Sequence, residues 1–215
     1  MKSCFIFCHG WGFDQKFFEP LIKEYFSNTF CYCLDLGYFG RANLSIPNNH
    51  TFIGVGHSLG FIKLASLNVK LTALIGIQAF INFLGFNPQL NKKRKFELNT
   101  MIKHFEISPI DTLRSFYKRC GVHYAIAKHL NKTKLMQDLE LLTATYQLPS
   151  IPLLIISANN DAIVPSELVY DNFSKYVKVI THNKGYHCLG LYERHFVHKQ
   201  ITIFLNGLTK RTGKA

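Results

Sequence analysis

Thr51-Phe52-Ile53-Gly54-Val55-Gly56-His57-Ser58-Leu59-Gly60 is the stretch that decides how this chain is read. An apolar run, Thr51 to Val55, passes straight into a Gly-x-Ser-x-Gly pentapeptide. A short apolar run of this kind reads as a buried strand, and the pentapeptide as a sharp strand-to-helix turn with the serine at its apex. Gly56 and Gly60 remove Cβ atoms where such a turn would otherwise clash with the strand and helix beside it. Alone, five residues are a modest signal, because an ordinary glycine-rich turn uses the same letters. The rest of the chain settles the weight they carry.

Three further segments end in residues that a serine nucleophile needs. The run Cys4-Phe5-Ile6-Phe7-Cys8 leads into His9-Gly10-Trp11-Gly12. Ile151-Pro152-Leu153-Leu154-Ile155-Ile156-Ser157 reads as a buried strand and delivers Asp161 at its C-terminal end. Val177-Lys178-Val179-Ile180 is a short strand followed by Lys184-Gly185-Tyr186-His187. Serine is a poor nucleophile until a neutral imidazole can take its proton. That imidazole in turn needs an acceptor on its other nitrogen. Ser58, Asp161 and His187 supply the three roles, each from the end of a different strand. Two competitors stand nearby. His182 lies close to the same strand end as His187, and Asp35 also ends a strand but precedes the serine and heads a different loop.

With these residues in view the chain resembles the α/β hydrolases, whose triad runs in the same chain order, serine then acid then histidine. His9-Gly10-Trp11-Gly12, Asp35-Leu36-Gly37-Tyr38-Phe39-Gly40-Arg41, Gly56-His57-Ser58-Leu59-Gly60 and Asn160-Asp161-Ala162-Ile163-Val164-Pro165 are similar to the pimeloyl-[acyl-carrier protein] methyl ester esterases of the biotin pathway, in particular their compact branch. The triad motifs are shared by many hydrolases and specify fold and mechanism better than substrate. The tryptophan in His-Gly-Trp-Gly is a narrower match. The resemblance implies an oxyanion hole made by the backbone N–H groups of Trp11 and Leu59. It also implies that an insertion before the acid-bearing strand forms a small helical cap over the serine.

There are departures from the pattern. The first strand begins almost at Met1, without the hairpin of larger relatives. Pro47, Asn48 and Asn49 make a loop of the stretch from Arg41 to Thr51, so the helix joining two parallel strands is expected to be missing. Gly37 and Tyr38 stand where relatives often carry Pro-Gly. Phe61 stands where a second glycine is frequent.

At 215 residues the chain suits a single domain. The expected division is a core of residues 1–81 and 149–209, a cap of about 82–148 and a disordered tail, 210–215. Strands are expected near 3–8, 29–34, 51–55, 71–78, 152–157 and 177–180. Helices are expected at 14–26, 59–67, 166–175 and 191–206, and the alternation implies a mostly parallel sheet wrapped on both faces. Inside the cap, Ser108-Pro109 starts a helix that Gly121 stops, and a second helix runs from Leu135 to Tyr146. The six cysteines read as buried thiols at even strand spacing, not as a disulfide framework. No pair has zinc-finger spacing, so neither a metal nor any other cofactor is expected. No stretch is long enough to span a membrane and no signal peptide is evident, which points to a reducing cytoplasm.

The formal charge of +12 favours an acidic partner. Basic residues gather in the cap, among them Arg94, Arg114, Lys118 and Arg119. Arg114 and Lys118, four apart, project together opposite the apolar stripe. No helix-turn-helix, finger or aromatic RNA-binding motif accompanies the charge, which argues against nucleic acid. Two readings stay open. The basic run is a solvated helix face, or it docks an acyl carrier protein, as the resemblance implies, with Arg114, Lys118 and Arg119 binding the carrier. Phe116 and other cap aromatics are core residues or line an acyl channel. The expected activity is a monomeric serine carboxylesterase that cleaves the methyl ester of a carrier-bound pimeloyl chain. The alternatives are a thioesterase or small-ester hydrolase without carrier specificity, and an idle hydrolase fold that only binds an acidic partner.

Overall fold

Six apolar runs become six strands of one sheet: β1 (Cys4–Cys8), β2 (Cys31–Leu34), β3 (Phe52–His57), β4 (Leu71–Ile77), β5 (Leu153–Ala158) and β6 (Val179–His182). The computed structural model describes residues 4–47 and 50–212. The strand order is β2-β1-β3-β4-β5-β6, and every neighbouring pair is parallel. All residues of β1 and β3 are buried, whereas the edge strands β2 and β6 are largely half-buried. Parallel strands covered on both faces have no solvent side, so they read as continuous apolar runs and do not alternate. The chain winds from β1 outward to β2 and then returns past β1 to β3. A crevice opens at the carboxyl ends of strands where the order reverses in this way. The loop after β1 and the serine turn after β3 both sit there.

The helices are α1 (Glu19–Tyr25), α2 (Leu59–Ala65), α3 (Pro88–Ile107), α4 (Pro109–Cys120), α5 (Lys132–Glu140), α6 (Ser166–Phe173), α7 (Leu189–Tyr192) and α8 (Arg194–Thr212). Several differ from expectation. The helix expected at 14–26 divides into a 3-10 turn, Gln15–Phe18, and α1, because Pro20 begins a new first turn. The helix expected at 191–206 is preceded by the short α7, and α8 runs on to Thr212. Residues 210–212 are therefore helical and not a disordered tail; residues 213–215 lie outside the described residues, as does Ser3 of the first expected strand. The helix expected through Tyr146 ends at Glu140 and tightens into a 3-10 turn, Leu141–Thr143. No helix joins β2 to β3 among the described residues, and Asp35 and Asn43 pair in an antiparallel bridge instead. Asn48 and Asn49 of that loop lie outside the described residues.

The longest helix, α3, escaped the sequence reading. Its start is encoded locally: Asn87 accepts hydrogen bonds from the N–H groups of Gln89 and Leu90, and Pro88 occupies the first turn. α4 follows immediately and ends where Gly121 adopts a left-handed φ of 70°. Helices α3, α4 and α5 all follow β4 and precede β5 in the chain, and α3 packs on both α4 and α5. Leu98, Phe105, Leu113, Phe116, Leu135 and Leu139 turn inward and are buried. Each such side chain contributes about 1.5–3 kcal/mol by leaving water. No helix among the described residues is long and apolar enough to cross a membrane.

Candidate active site

Ser58 has φ 53° and ψ −122°, a conformation that side-chain-bearing residues rarely adopt. The turn is held by Ser58 N–H donating to the Ile77 carbonyl (3.0 Å) and by Phe61 N–H donating to the Ser58 carbonyl (3.1 Å). The flanking glycines are required by contact. A Cβ on Gly60 would stand 2.1 Å from the Cys8 carbonyl oxygen, and one on Gly56 would stand 2.3 Å from Phe61 Cα. Backbone meets backbone at both points, so nothing can yield. The serine itself is only 6% exposed, and residues of α3, α4 and α5 line the cavity it shares.

The Asp161 carboxylate lies 2.8 Å from His187 Nδ1, and both groups are buried. Asp161 Oδ1 accepts the N–H groups of Ile163 and Val164, each at 2.8 Å. With these three donors and a fourth from Gln78, the carboxylate is fixed as an acceptor for the imidazole. Nδ1–H donation to Asp161 leaves Nε2 with its lone pair, the tautomer a general base requires. Ser58 Oγ makes no hydrogen bond to any described residue, and in unliganded sites the nucleophile–base contact commonly tightens only when substrate binds.

Two residues that the sequence reading passed over organise this trio. Gln78, the residue after β4, is fully buried and also has a left-handed φ of 53°. Its Nε2 donates to Asp161 Oδ2 (3.0 Å) and to the Tyr186 carbonyl, and its Oε1 accepts Leu189 N–H (3.2 Å). One amide thus ties the acid to the backbone on both sides of His187. The signal was present as a lone polar residue in the apolar run from Ala73 to Phe80. The second residue is His57, whose Nε2 donates to the His187 carbonyl at 2.8 Å, joining the serine turn to the histidine loop. Its ring stacks on Phe17 at 4.3 Å. Burial holds the His57 imidazole well below its usual range, and neighbouring His187 pushes it the same way. A neutral ring beside His187 does not oppose formation of an imidazolium there.

The competitors are placed elsewhere. His182 sits 3.5 Å from Glu193 and packs on Phe196. Asp35 accepts the Gly37 N–H at 2.8 Å and shapes the loop after β2. His9 accepts the Leu36 N–H on Nε2 (3.0 Å), so its Nδ1–H faces the Gly10 carbonyl (2.9 Å) and steadies the loop after β1.

Trp11 and Leu59 line one apolar cavity with Ser58, and the backbone N–H of neither has an acceptor among the described residues. The Trp11 indole donates to the Leu135 carbonyl (2.8 Å) and packs against Phe105 and Phe116. Tyr117 donates to the Gly12 carbonyl and Tyr124 to Asp14 (2.7 Å), so α4 and the loop beyond it grip the same segment. A further clamp is buried beneath α5. Asp138 accepts from Tyr38 (2.6 Å), Lys63 on α2 (2.7 Å) and Lys134 (3.2 Å). Burial, reinforced by this carboxylate, drives the Tyr38 phenol well above its usual range.

The four residues grouped by sequence as substrate or carrier contacts divide into two pairs. Phe116 and Arg119 line the cavity with Ser58. Phe116 packs edge-on against Trp11 at 4.9 Å, and Arg119 donates to the Ala162 carbonyl at 2.8 Å. Arg114 and Lys118 line a shallow outer groove with Gly121, His123 and Tyr186, and Arg114 is paired with Asp111 at 2.9 Å.

No protein-family model and no curated protein sequence matches the chain. Solved structures do. A hydrolase from Oleispira antarctica superposes with a TM-score of 0.74 at 13% identity, covering 96% of this chain and 92% of its own. An esterase from Exiguobacterium antarcticum gives 0.72 at 13% identity, with coverage of 96% and 93%. A lipase-esterase related protein from Clostridium acetobutylicum gives 0.69 at 15% identity, covering 94% of each chain. At such identities the likeness concerns architecture alone: the chain has the α/β-hydrolase fold.

Proposed function

We propose that this protein is a serine carboxylesterase. The observation that carries the reading is the strained Ser58 turn lining the same cavity as Trp11 and Leu59, whose backbone N–H groups have no acceptor among the described residues, together with the His187–Asp161 pair tied to that turn through His57. Ser58 Oγ attacks the ester carbonyl as His187 Nε2 takes its proton. The N–H groups of Trp11 and Leu59 hold the oxyanion. His187 returns the proton to the departing alcohol, and water then releases the acyl chain from Ser58 by the reverse sequence. Asp161 stabilises the imidazolium throughout. Esterases among the structural neighbours are in keeping with this chemistry.

The finer reading is the methyl ester of a pimeloyl chain carried by acyl carrier protein, with methanol as the leaving group. It is supported by the His-Gly-Trp-Gly segment, by the +12 charge and by the outward placement of Arg114 and Lys118. A serine-directed phosphonate tests the chemistry directly. It should label the protein at Ser58, and Ser58→Ala should abolish both labelling and ester turnover, the latter by several orders of magnitude. An unlabelled wild-type protein would return the molecule to the class of idle binding scaffolds.

A further inference from the structure

The cavity wall above Ser58 is apolar except for three charged residues, Arg94, Glu97 and Arg119. Arg94, on α3, is 4% exposed. A buried guanidinium is costly unless its charge and its N–H groups are met. Its Nη1 donates to Glu97 (3.2 Å), its Nη2 to the Ile163 carbonyl (2.7 Å) and its Nε to the Phe83 carbonyl (3.4 Å), while the group lies 4.1 Å over the Phe83 ring. A guanidinium carries five N–H groups, so each terminal nitrogen keeps one without an acceptor among the described residues. Glu97 is one-third exposed, so water weakens its neutralising effect. Arg119 adds a second cation near enough to disfavour the charge on Arg94. The lining thus holds two cations, of which Arg119 is exposed, and one anion; Asp161, whose charge also reaches Arg94, stands outside the lining and is engaged by His187 and Gln78.

We propose that Arg94 and Arg119 form an anion subsite in the Ser58 cavity, and that the acyl chain seated there carries a carboxylate remote from the ester that is cleaved. This rests on the esterase reading and names its substrate class: monoesters of aliphatic dicarboxylic acids with the second carboxyl free. A carrier-bound chain presents an uncharged thioester in place of that carboxylate, so the subsite favours the free half-ester over the carrier-bound ester. The planar fork of a guanidinium suits a carboxylate, and a charge-assisted hydrogen bond to the buried Arg94 discriminates against a chain that lacks the acceptor.

Binding is measured in the Ser58→Ala protein, where no turnover intervenes. Monomethyl pimelate should bind at least about tenfold more tightly than methyl heptanoate. Adding Arg94→Met should erase that preference, and Arg94→Lys should keep part of it. In wild-type protein, kcat/KM across the half-esters from glutarate to azelate should exceed that of the matching monoacid methyl esters. Equal affinity for the two probes in Ser58→Ala would overturn the proposal. So would an Arg94→Met variant that weakens both probes equally, since Arg94 would then act only through its hold on the Ile163 carbonyl. If Arg94→Met does not fold, Arg94→Lys and Arg119→Met read the same ratio. Absence of turnover on every ester would sink the esterase reading while the binding ratio still decides the subsite.

Discussion

At the scale of single residues, the site depends on groups whose hydrogen bonds cannot be replaced. His187 and His182 are five positions apart, yet only His187 meets Asp161. We expect His187→Ala to cost several orders of magnitude in kcat/KM and His182→Ala to be mild, read from turnover of a short-chain ester. A crippled His182→Ala would make His182 the base in place of His187. Gln78 makes a subtler case, because it touches no substrate and acts through Asp161 and the backbone around His187. Replacing it with Met takes the partner from one acceptor, the Tyr186 carbonyl, and one donor, Leu189 N–H, each worth about 1–3 kcal/mol, and removes one of the donors to Asp161. Gln78→Met should therefore lower kcat with KM little changed, together with the melting temperature. A fall in melting temperature alone, with kcat intact, would reduce Gln78 to a structural residue.

At the scale of elements, contact geometry separates glycines that look alike in sequence. Gly60 begins α2 against the end of β1, where a methyl group would meet the Cys8 carbonyl oxygen at 2.1 Å. Gly207 lies in α8 with open space around its Cα. Gly60→Ala should lower stability by about 1–3 kcal/mol or more, or prevent folding, because overpacking against backbone has no relief. Gly207→Ala should raise stability by about 0.5–1 kcal/mol, since alanine favours the helix and stiffens the unfolded chain. Thermal denaturation of the two variants beside wild type decides both. A Gly60→Ala protein with an unchanged melting temperature would mean that α2 does not lie against β1 in this way. The roof of the cavity is likewise an assembly of elements. Trp11 reaches α5 from the loop after β1, α4 returns Tyr117 to the same loop, and Asp138 ties α5 to α2.

At the scale of the whole molecule, two effects spread beyond the site. His57 is fully buried with its imidazole held well below the usual value of 6.5. The unfolded chain therefore binds a proton that the folded protein refuses. Stability from this group is fully present above pH 6.5 and is lost as pH falls below it, with a slope approaching about 1.4 kcal/mol per pH unit. His57→Gln keeps a donor for the His187 carbonyl but does not titrate. Its denaturation free energy should fall less than that of wild type between pH 6.5 and about 5, and parallel curves would refute this account. The second effect is the overall charge of +12. If an acidic carrier docks on the outer groove, Arg114→Glu with Lys118→Glu should raise KM for a carrier-bound ester and spare a small free ester. Added salt should weaken the carrier reaction alone, because charges at an exposed surface are screened within about 8 Å at physiological ionic strength. Equal loss on both substrates would indicate damage to the cavity, and no loss on either would leave Arg114 and Lys118 as solvated surface.

Whatever local chemistry encodes was legible along the chain. Apolar runs without alternation announce strands covered on both faces, and all six lie within about two residues of where those runs placed them. Gly56 and Gly60 mark the turn that only glycine can make, and Ser58, Asp161 and His187 each stand just beyond a strand end. Asn87-Pro88 was equally legible as the start of α3, but a helix whose outward faces are crowded with Lys92, Lys93 and Lys95 has a weak apolar stripe, and its length went unread. The remaining contacts arise when distant segments meet in the fold. That Gln78 reaches Asp161, that His57 holds the His187 loop, and that Arg94 on α3 lines the Ser58 cavity while Arg114 on α4 faces outward are matters of contact between segments far apart in the chain and of how each helix is turned. Sequence spacing reports neighbours along a chain; a side chain's partners across a fold are set by how the helices between β4 and β5 settle onto the sheet.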